Sequence, residues 1–448
     1  NVQIDKIFFI SLLQHTYNFC IKIFKKGENK MNVVELFSGI GAQAKALERI
    51  NIDHNILATC DWDINAIIAY DLIHNGIQAN NIFRNLTNEE LDELLIPLHL
   101  SANGKNAMND ASKERLPRNT KEALLFAIQR TNNLIDITSI TGEDLPNDID
   151  LLTYSFPCQD LSLAGNWHNN TGGIDRNSGN RSALLWEVER ILLERNEINL
   201  VEQEHANMPR FLLMENVTAI LSRKHIANFN EWRNNLNDLG YLNCVLTLDA
   251  RNFGVPQMRN RTYMVSVYVG DLPNEETDEI NEILTELENN NNLLCEQYPR
   301  HNFSIHDVIK NDYNNPEYFR EALESNPNRT PSRIQIEENN IHITDETQYV
   351  PTITTKQDRH PNSGLIEFHP IEQNKMNFRY LTPRECFILM GFDEADFQTL
   401  CDNNFHTRRN SYFFTRDKLN KMAGNSICVN VLESIFELIN DINNQYFI

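Results

Sequence analysis

Hydrophobic and polar positions along the 448-residue chain follow two periods. Short apolar runs of about four to eight residues predict buried strands; apolar positions three or four apart predict helices. The run at 33–37 is the first strand, and it ends in Ser38-Gly39-Ile40-Gly41. Ala42, Ala46, Leu47 and Ile50 then share one helical face. A second strand, Ile56–Cys60, ends at Asp61-Trp62, and helical spacing resumes over Ile64–His74. Strand, turn, helix and strand in this order form a βαβ unit and predict an α/β fold with a parallel sheet. Ile149–Phe156 and Arg210–Met214 read as further buried strands, and Val245–Leu248 and Thr262–Tyr268 as later ones. Leu184–Leu193 and Trp232–Leu239 have helical spacing.

The same pattern divides the chain. Residues 1–30 hold an apolar stretch, Ile7–Leu13, broken by Ser11. It is too short for a membrane span. We expect Met31 to start the functional domain, with 1–30 an appended helix or an over-extended start. A weak membrane anchor using Lys22, Lys25 and Lys26 is the rival reading. The sheet domain spans 31–270, with a polar, helical insertion at 80–135, after which Asn132–Thr138 returns to the sheet edge. Residues 271–300 carry nine acids against one base, Arg300, which predicts a solvated helix or linker at a boundary. It opens a smaller irregular unit over 271–370, and 371–448 returns to the first domain through Pro383–Met390 and Val429–Ile439.

Composition narrows the function less than it first suggests. Lys+Arg 40 against Asp+Glu 62 gives a net charge of −22, opposite to the basic footprint of most nucleic-acid-binding proteins. The acidic excess is uneven, however. Residues 251–261 hold Arg251, Arg259 and Arg261 with no acid, and 111–130 and 406–421 are also locally basic. Affinity for phosphates depends on charges placed at them, so the expectation is an acidic back, a basic cleft and binding that weakens readily with salt. Eight cysteines lie at 20, 60, 158, 244, 295, 386, 401 and 428, with no C-x-x-C pair. No zinc site is expected, and a reducing cytoplasm fits better than a secreted disulfide scaffold.

Several turns carry chemistry. Phe37-Ser38-Gly39-Ile40-Gly41 exposes backbone amides at a strand-to-helix turn, although Ala44 replaces the third glycine of a dinucleotide fingerprint. It serves equally well as a structural turn. Asp61 can accept from ribose hydroxyls and Trp62 can cover an adenine, or the pair is a helix cap and a core ring. Ser155-Phe156-Pro157-Cys158-Gln159 follows a buried strand, so Cys158 falls at the carboxyl edge of the sheet, where such folds bind ligands. Glu215 of Glu215-Asn216-Val217 reaches the same edge, or caps the next helix. On one strand Gln257, Arg259 and Arg261 would share a face suited to anions or carbonyls; an exposed basic edge is the alternative.

In chain order these pieces resemble the DNA cytosine-5 methyltransferases, from Val33 to about Ile439. The resemblance rests on F-S-G-I-G at 37–41, Asp61-Trp62, Asp136-Ile137, P-C-Q at 157–159, E-N-V at 215–217, Q-M-R-N-R at 257–261, T-I-T-T at 352–355, R-Y-L-T-P-R-E-C at 379–386, Met390-Gly391-Phe392 and G-N-S at 424–426. Ile149–Leu161 with Arg181–Arg190 is most similar to the prokaryotic CG-methylating subgroup. The insertion at 80–135 is longer than in compact members, and the acidic run cannot itself lie against DNA.

The resemblance implies a Rossmann-like S-adenosylmethionine-dependent methyltransferase fold with a mostly parallel sheet and a smaller, irregular target-recognition domain. It implies methylation of carbon 5 of a flipped-out cytosine through a covalent Cys158 adduct, with Glu215, Arg259 and Arg261 as catalytic partners. Glu215 would stabilise the ring as a neutral acid, which burial favours. Phe37, Ser38, Gly39, Gly41, Asp61, Trp62, Asp136, Ile137, Pro157, Asn425 and Ser426 would hold S-adenosylmethionine and release S-adenosylhomocysteine, with no metal. Gln159, Ser162, Arg181, Gln257 and Thr352 would contact DNA. The stretch 160–181 would be lid and wedge, with Arg176 a further phosphate candidate. The implied enzyme is prokaryotic, cytoplasmic and monomeric, acts on double-stranded DNA without a membrane, and has a cognate restriction endonuclease as a candidate partner. The rivals are a transfer-RNA cytosine methyltransferase, a catalytically silent DNA-binding paralogue and a nicotinamide-dependent oxidoreductase.

Overall fold

Six strands form one sheet: β1 (Met31–Leu36), β2 (His54–Cys60), β3 (Leu151–Tyr154), β4 (Phe211–Val217), β5 (Tyr241–Asp249) and β7 (Asn260–Tyr268), in the order β2-β1-β3-β4-β7-β5. A two-residue strand between them, β6 (Gln257–Met258), pairs outside this sheet with β8 (Val350–Pro351). The computed structural model describes residues 30–77, 80–158, 161, 173–176, 181–202, 208–357, 361–369, 372, 374–408 and 411–448. Gln159, Ser162, nearly all of the expected lid and residues 1–29 lie outside the described residues.

The first four strands are parallel, as the βαβ order predicts, and β7 runs antiparallel between β4 and β5. The chain leaves β1 for β2 on one side and returns to β3 on the other. That reversal opens a crevice beyond the carboxyl ends of β1 and β3, the place where doubly wound sheets bind ligands. Because β7 is antiparallel, its first residues meet the last residues of β4, with Val217 opposite Arg261. Two segments far apart in sequence, 215–217 and 261–263, therefore reach one edge.

Alternate residues of each strand face opposite layers. Val33, Leu151, Phe211 and Val265 pack with α1 (Ala42–Arg49), α2 (Ile64–Asn75) and the C-terminal helix. Val34, Leu152, Leu212 and Met264 pack with Leu185 and Trp232, on helices α5 (Leu185–Glu202) and α6 (Ile226–Asp238). Within the insertion, α4 (Arg118–Arg130) packs on α2, and α3 (Asn88–Leu95) packs on α4. Asn133 bridges Thr59, which returns the chain to the sheet edge where expected.

Three expectations change. Gln257, Arg259 and Arg261 are not on one strand, because β6 leaves the sheet before β7 begins. The acidic run is a helix, as one of its two readings had it, but it is not solvated all round: α7 (Asn274–Asn289) buries Ile280, Leu284 and Leu287, and Arg233 holds Glu288 at 2.8 Å. Glu288 also accepts from the Val245 amide, so α7 covers the edge strand β5. Finally, the basic residues of 111–130 are largely used within the fold. Arg118 pairs with Glu122, Lys121 with Asp92 and Arg130 with Asp71.

The smaller unit has its own cluster of Leu365, Met376, Phe378 and Tyr380, built on the paired segments Ile366–Glu367 and Phe378–Arg379. The chain rejoins the main body in α8 (Pro383–Leu389) and α9 (Glu394–Asp402), then α10 (Arg416–Asn425) and α11 (Val429–Tyr446). Arg416–Tyr446 is, among the described residues, the one stretch long and apolar enough to cross a membrane. It is two helices broken at 426–428, and α11 is packed in the core against α1.

Candidate active site

The turn after β1 is built by positive φ values at Phe37 (58°), Gly39 (56°) and Gly41 (77°). Gly41 is required by packing: a Cβ there would lie 2.2 Å from His74 Nε2 and 2.7 Å from Tyr70. Nothing lies within 4 Å of the Cβ position of Gly39, so that side of the turn is open. The Gly39 amide donates to Asp61 Oδ2 at 3.0 Å and the Asp63 amide to Asp61 Oδ1 at 2.8 Å. Burial and Asp63 push the Asp61 carboxyl up to about 6, against the two amides and Lys421. Trp62 is half-buried beside it.

Asp136 and Ile137 are buried at the same edge, and Asp136 Oδ1 accepts from the Thr138 amide. The other Asp136 oxygen pairs with His99, whose ring stands 5.6 Å from that of Trp62. No local pattern marks His99; only the fold of the insertion brings it here. Lys421, also unforeseen, reaches Asp63 at 2.7 Å. Asn425 is exposed and Ser426 half-buried at the end of α10.

A cofactor with an adenosine and an amino-acid end fits these residues. Open space at Gly39 gives room, Asp61 gives an acceptor, and the Ser38 hydroxyl is buried without a hydrogen-bond partner.

Beneath the turn, Glu35 is fully buried and neither oxygen has a hydrogen-bond partner of normal geometry. Burial pushes its pKa up to about 8, although the nearby Tyr70 hydroxyl and Ala44 amide oppose the shift. The folded protein therefore keeps a proton that the unfolded chain loses above its ordinary 4.5. The neutral acid's contribution to stability is full below pH 4.5 and is lost as pH rises towards 8. Glu35→Gln is expected to flatten this dependence and to raise stability at pH 9 by on the order of 2–4 kcal/mol, read from denaturant midpoints at pH 5 and 9.

The loop that carries Cys158 follows β3. Cys158 is partly open, and burial and the Glu215 charge push its thiol up, against Arg261 and Arg259. Each of the three residues before it is tied down. Ser155 Oγ donates to Glu215 Oε2 at 2.7 Å, Asn216 Nδ2 to Phe156 O at 3.1 Å, and Ser182 Oγ to Pro157 O at 2.7 Å. Glu215 is buried, and its second oxygen lies 3.3 Å from Arg261 Nε. Parallel pairing of Tyr154 with Met214, one residue before each, aligns Ser155 with Glu215. Antiparallel pairing of β4 with β7 puts Arg261 and Glu215 diagonally on one face.

Other expected contacts are spent inside the protein. Arg259 is buried, which lowers its pKa to about 10, and it donates to Ile353 O, Gly424 O and Ser426 O. It ties its own segment to those at 353 and 424–426, and its buried Nε has no hydrogen-bond partner. Gln257, expected on DNA, is fully buried, donating to Leu389 O and accepting from the Ile353 amide. The Thr352 hydroxyl donates to Met258 O. Arg181 donates to Gly104 O at 3.1 Å. Arg176, expected at phosphate, is held by Glu189 and Glu231 and stacks 3.7 Å over Trp186.

No group of three or more metal-ligating side chains occurs among the described residues, and the seven described cysteines are free thiols. A model of the C-5 cytosine-specific DNA methylases matches residues 118–441. The orphan methyltransferase M.SssI of Spiroplasma monobiae is 33% identical over 426 residues, covering 92% of this chain and 97% of that protein. The type II methyltransferase M2.ScrFI of Lactococcus lactis subsp. cremoris is 30% identical over 412 residues, covering 91% and 98%. Among solved structures, the Dnmt2 methyltransferase of S. pombe is similar at a TM-score of 0.54 with 18% identity, over 93% of this chain and all of that one, a likeness of fold. With the family model spanning most of the chain and these relatives nearly all of it, the chain belongs to the C-5 cytosine-specific DNA methylase family.

Proposed function

We propose that this enzyme methylates carbon 5 of a cytosine flipped out of duplex DNA, with Cys158 as nucleophile. The observation that carries the reading is the convergence of Cys158, Glu215 and Arg261 at one sheet edge, beside the Gly39–Asp61 turn. S-adenosylmethionine, held by Phe37, Ser38, Gly39, Asp61, Trp62 and Asp136, supplies the methyl group.

Cytosine carbon 5 is a poor nucleophile. The Cys158 sulfur forms a bond to carbon 6, and the ring electrons move to carbon 5, which can then take a methyl group. Glu215 faces ring nitrogen 3 and the exocyclic amine, and Arg261 orients Glu215. Carbon 5 takes the methyl group as the donor's sulfonium–methyl bond breaks to leave S-adenosylhomocysteine; it then gives up its proton to solvent, and the carbon–sulfur bond breaks, which restores the ring and releases the Cys158 thiolate. Flipping costs a few kcal/mol, and the stretch 160–181 is the natural element to fill the gap.

Double-stranded DNA is the substrate, in the cytoplasm of a prokaryote, with the protein acting as a monomer and a cognate restriction endonuclease as a candidate partner. The transfer-RNA reading shares the chemistry and differs only in substrate; the silent-paralogue reading leaves an intact Cys158 and Glu215 without a task. The test is to incubate the purified protein with S-adenosylmethionine and unmethylated plasmid DNA and sequence after bisulfite treatment. Protected cytosines in one motif are expected, with CG the first dinucleotide to inspect. Plasmid left fully convertible by folded protein overturns the reading.

A further inference from the structure

We propose that Ser155 is a positioning residue for the methyl transfer, acting through Glu215. The inference rests on the role given to Glu215 above and extends it to a side chain whose own position suggests no chemistry. Glu215 has two oxygens and two tasks at a cytosine, one towards ring nitrogen 3 and one towards the exocyclic amine. Both tasks need the carboxyl plane fixed to within roughly 10–20°. A glutamate has three rotatable side-chain bonds, and Arg261 alone, at 3.3 Å from one oxygen, leaves rotation about that contact.

Ser155 removes this freedom. Its hydroxyl donates to the other oxygen at 2.7 Å. The hydroxyl is itself fixed, because Ser155 directly follows β3 and the next residue is tied by Asn216 to β4. Ser155 also stands three residues before Cys158. One hydrogen bond therefore sets the nucleophile loop and the acid relative to each other. When a base enters, the serine hydroxyl can stay on one lone pair of Oε2, which leaves the other lone pair and Oε1 for the ring, so the carboxyl keeps its plane through the change.

The consequence is a kcat effect confined to the Glu215 path. Ser155→Ala is expected to lower kcat for plasmid methylation about 10- to 100-fold, the order for leaving a buried carboxyl oxygen without its donor. KM for DNA and for S-adenosylmethionine should move less than about twofold, since the Ser155 hydroxyl is directed to Glu215. In a Glu215→Gln background the same substitution should cost less than about threefold, because the group it orients is already impaired. Ser155→Cys keeps the shape with a far weaker donor, so it should show the same fall and stands in if the alanine variant does not fold. Ser155→Ala activity within twofold of the parent, alongside an impaired Glu215→Gln, overturns this proposal alone. So does full additivity of the two substitutions, which would place Ser155 outside the Glu215 path. An unimpaired Glu215→Gln enzyme overturns the reading of Glu215 itself.

Discussion

Cys158→Ala is expected to abolish methyl transfer, with a loss of at least about 10⁴-fold, because the adduct that activates carbon 5 has no other nucleophile to form it. The check is a duplex containing 5-fluorocytosine, where the fluorine blocks the final proton loss and leaves protein joined to DNA. The parent enzyme should give a denaturant-resistant adduct that the variant lacks. A variant that still forms the adduct would falsify the assignment of Cys158. The pH dependence follows from the site. Burial and the Glu215 charge hold the thiol above its ordinary 9.0, and only the thiolate attacks. The initial rate of adduct formation should therefore rise with pH from 7 to 9 without reaching a plateau. A rate flat across that range would mean that the bound complex, unlike the free enzyme, already holds a thiolate.

The second large effect is structural. Arg379 and Glu385 are both fully buried and joined by two hydrogen bonds of 2.8 and 2.9 Å. Arg379 also donates to the Tyr313 hydroxyl and to Lys310 O, while Glu385 accepts from the Lys310 and Thr382 amides. The pair thus fastens residues 310–313 of the smaller unit to the start of α8. Taking two ions out of water is costly, so the pair is not a large net gain over apolar packing; its removal by halves is what destabilises. Glu385→Ala leaves a buried guanidinium without its counter-ion and is expected to cost about 3–5 kcal/mol. Arg379→Met with Glu385→Leu removes both charges and should cost clearly less. Denaturant midpoints for the three proteins check this, and a double variant less stable than Glu385→Ala would contradict it.

Much of this was legible in the chain. The glycine turn at 37–41, Asp61 and Cys158 are placed by local pattern, because a short apolar run followed by glycine, acid or proline states both a strand and its end. The parallel order of the first strands follows from the alternation of strands with helices. What was not legible depends on contacts between distant segments. Gln257 and Arg259 look like ligand-facing residues because nothing nearby in sequence could satisfy them. Their partners, Leu389, Ile353, Gly424 and Ser426, lie 94 to 167 residues away. The acidic run looked solvated because its apolar positions, Ile280, Leu284 and Leu287, are sparse, yet they suffice to seat α7 on β5.

The sequence by itself therefore determined which groups stand at the sheet's carboxyl edge, since strand ends and turns are local chemistry. Only the tertiary structure decided which of those groups face a ligand and which face one another. The register of β3 on β4 aligns Ser155 with Glu215, and the antiparallel β7 brings Arg261 to the same carboxylate. The folded insertion delivers His99 to Asp136. Hydrogen bonds across a sheet depend on pairing between distant segments, and no spacing along one segment encodes them.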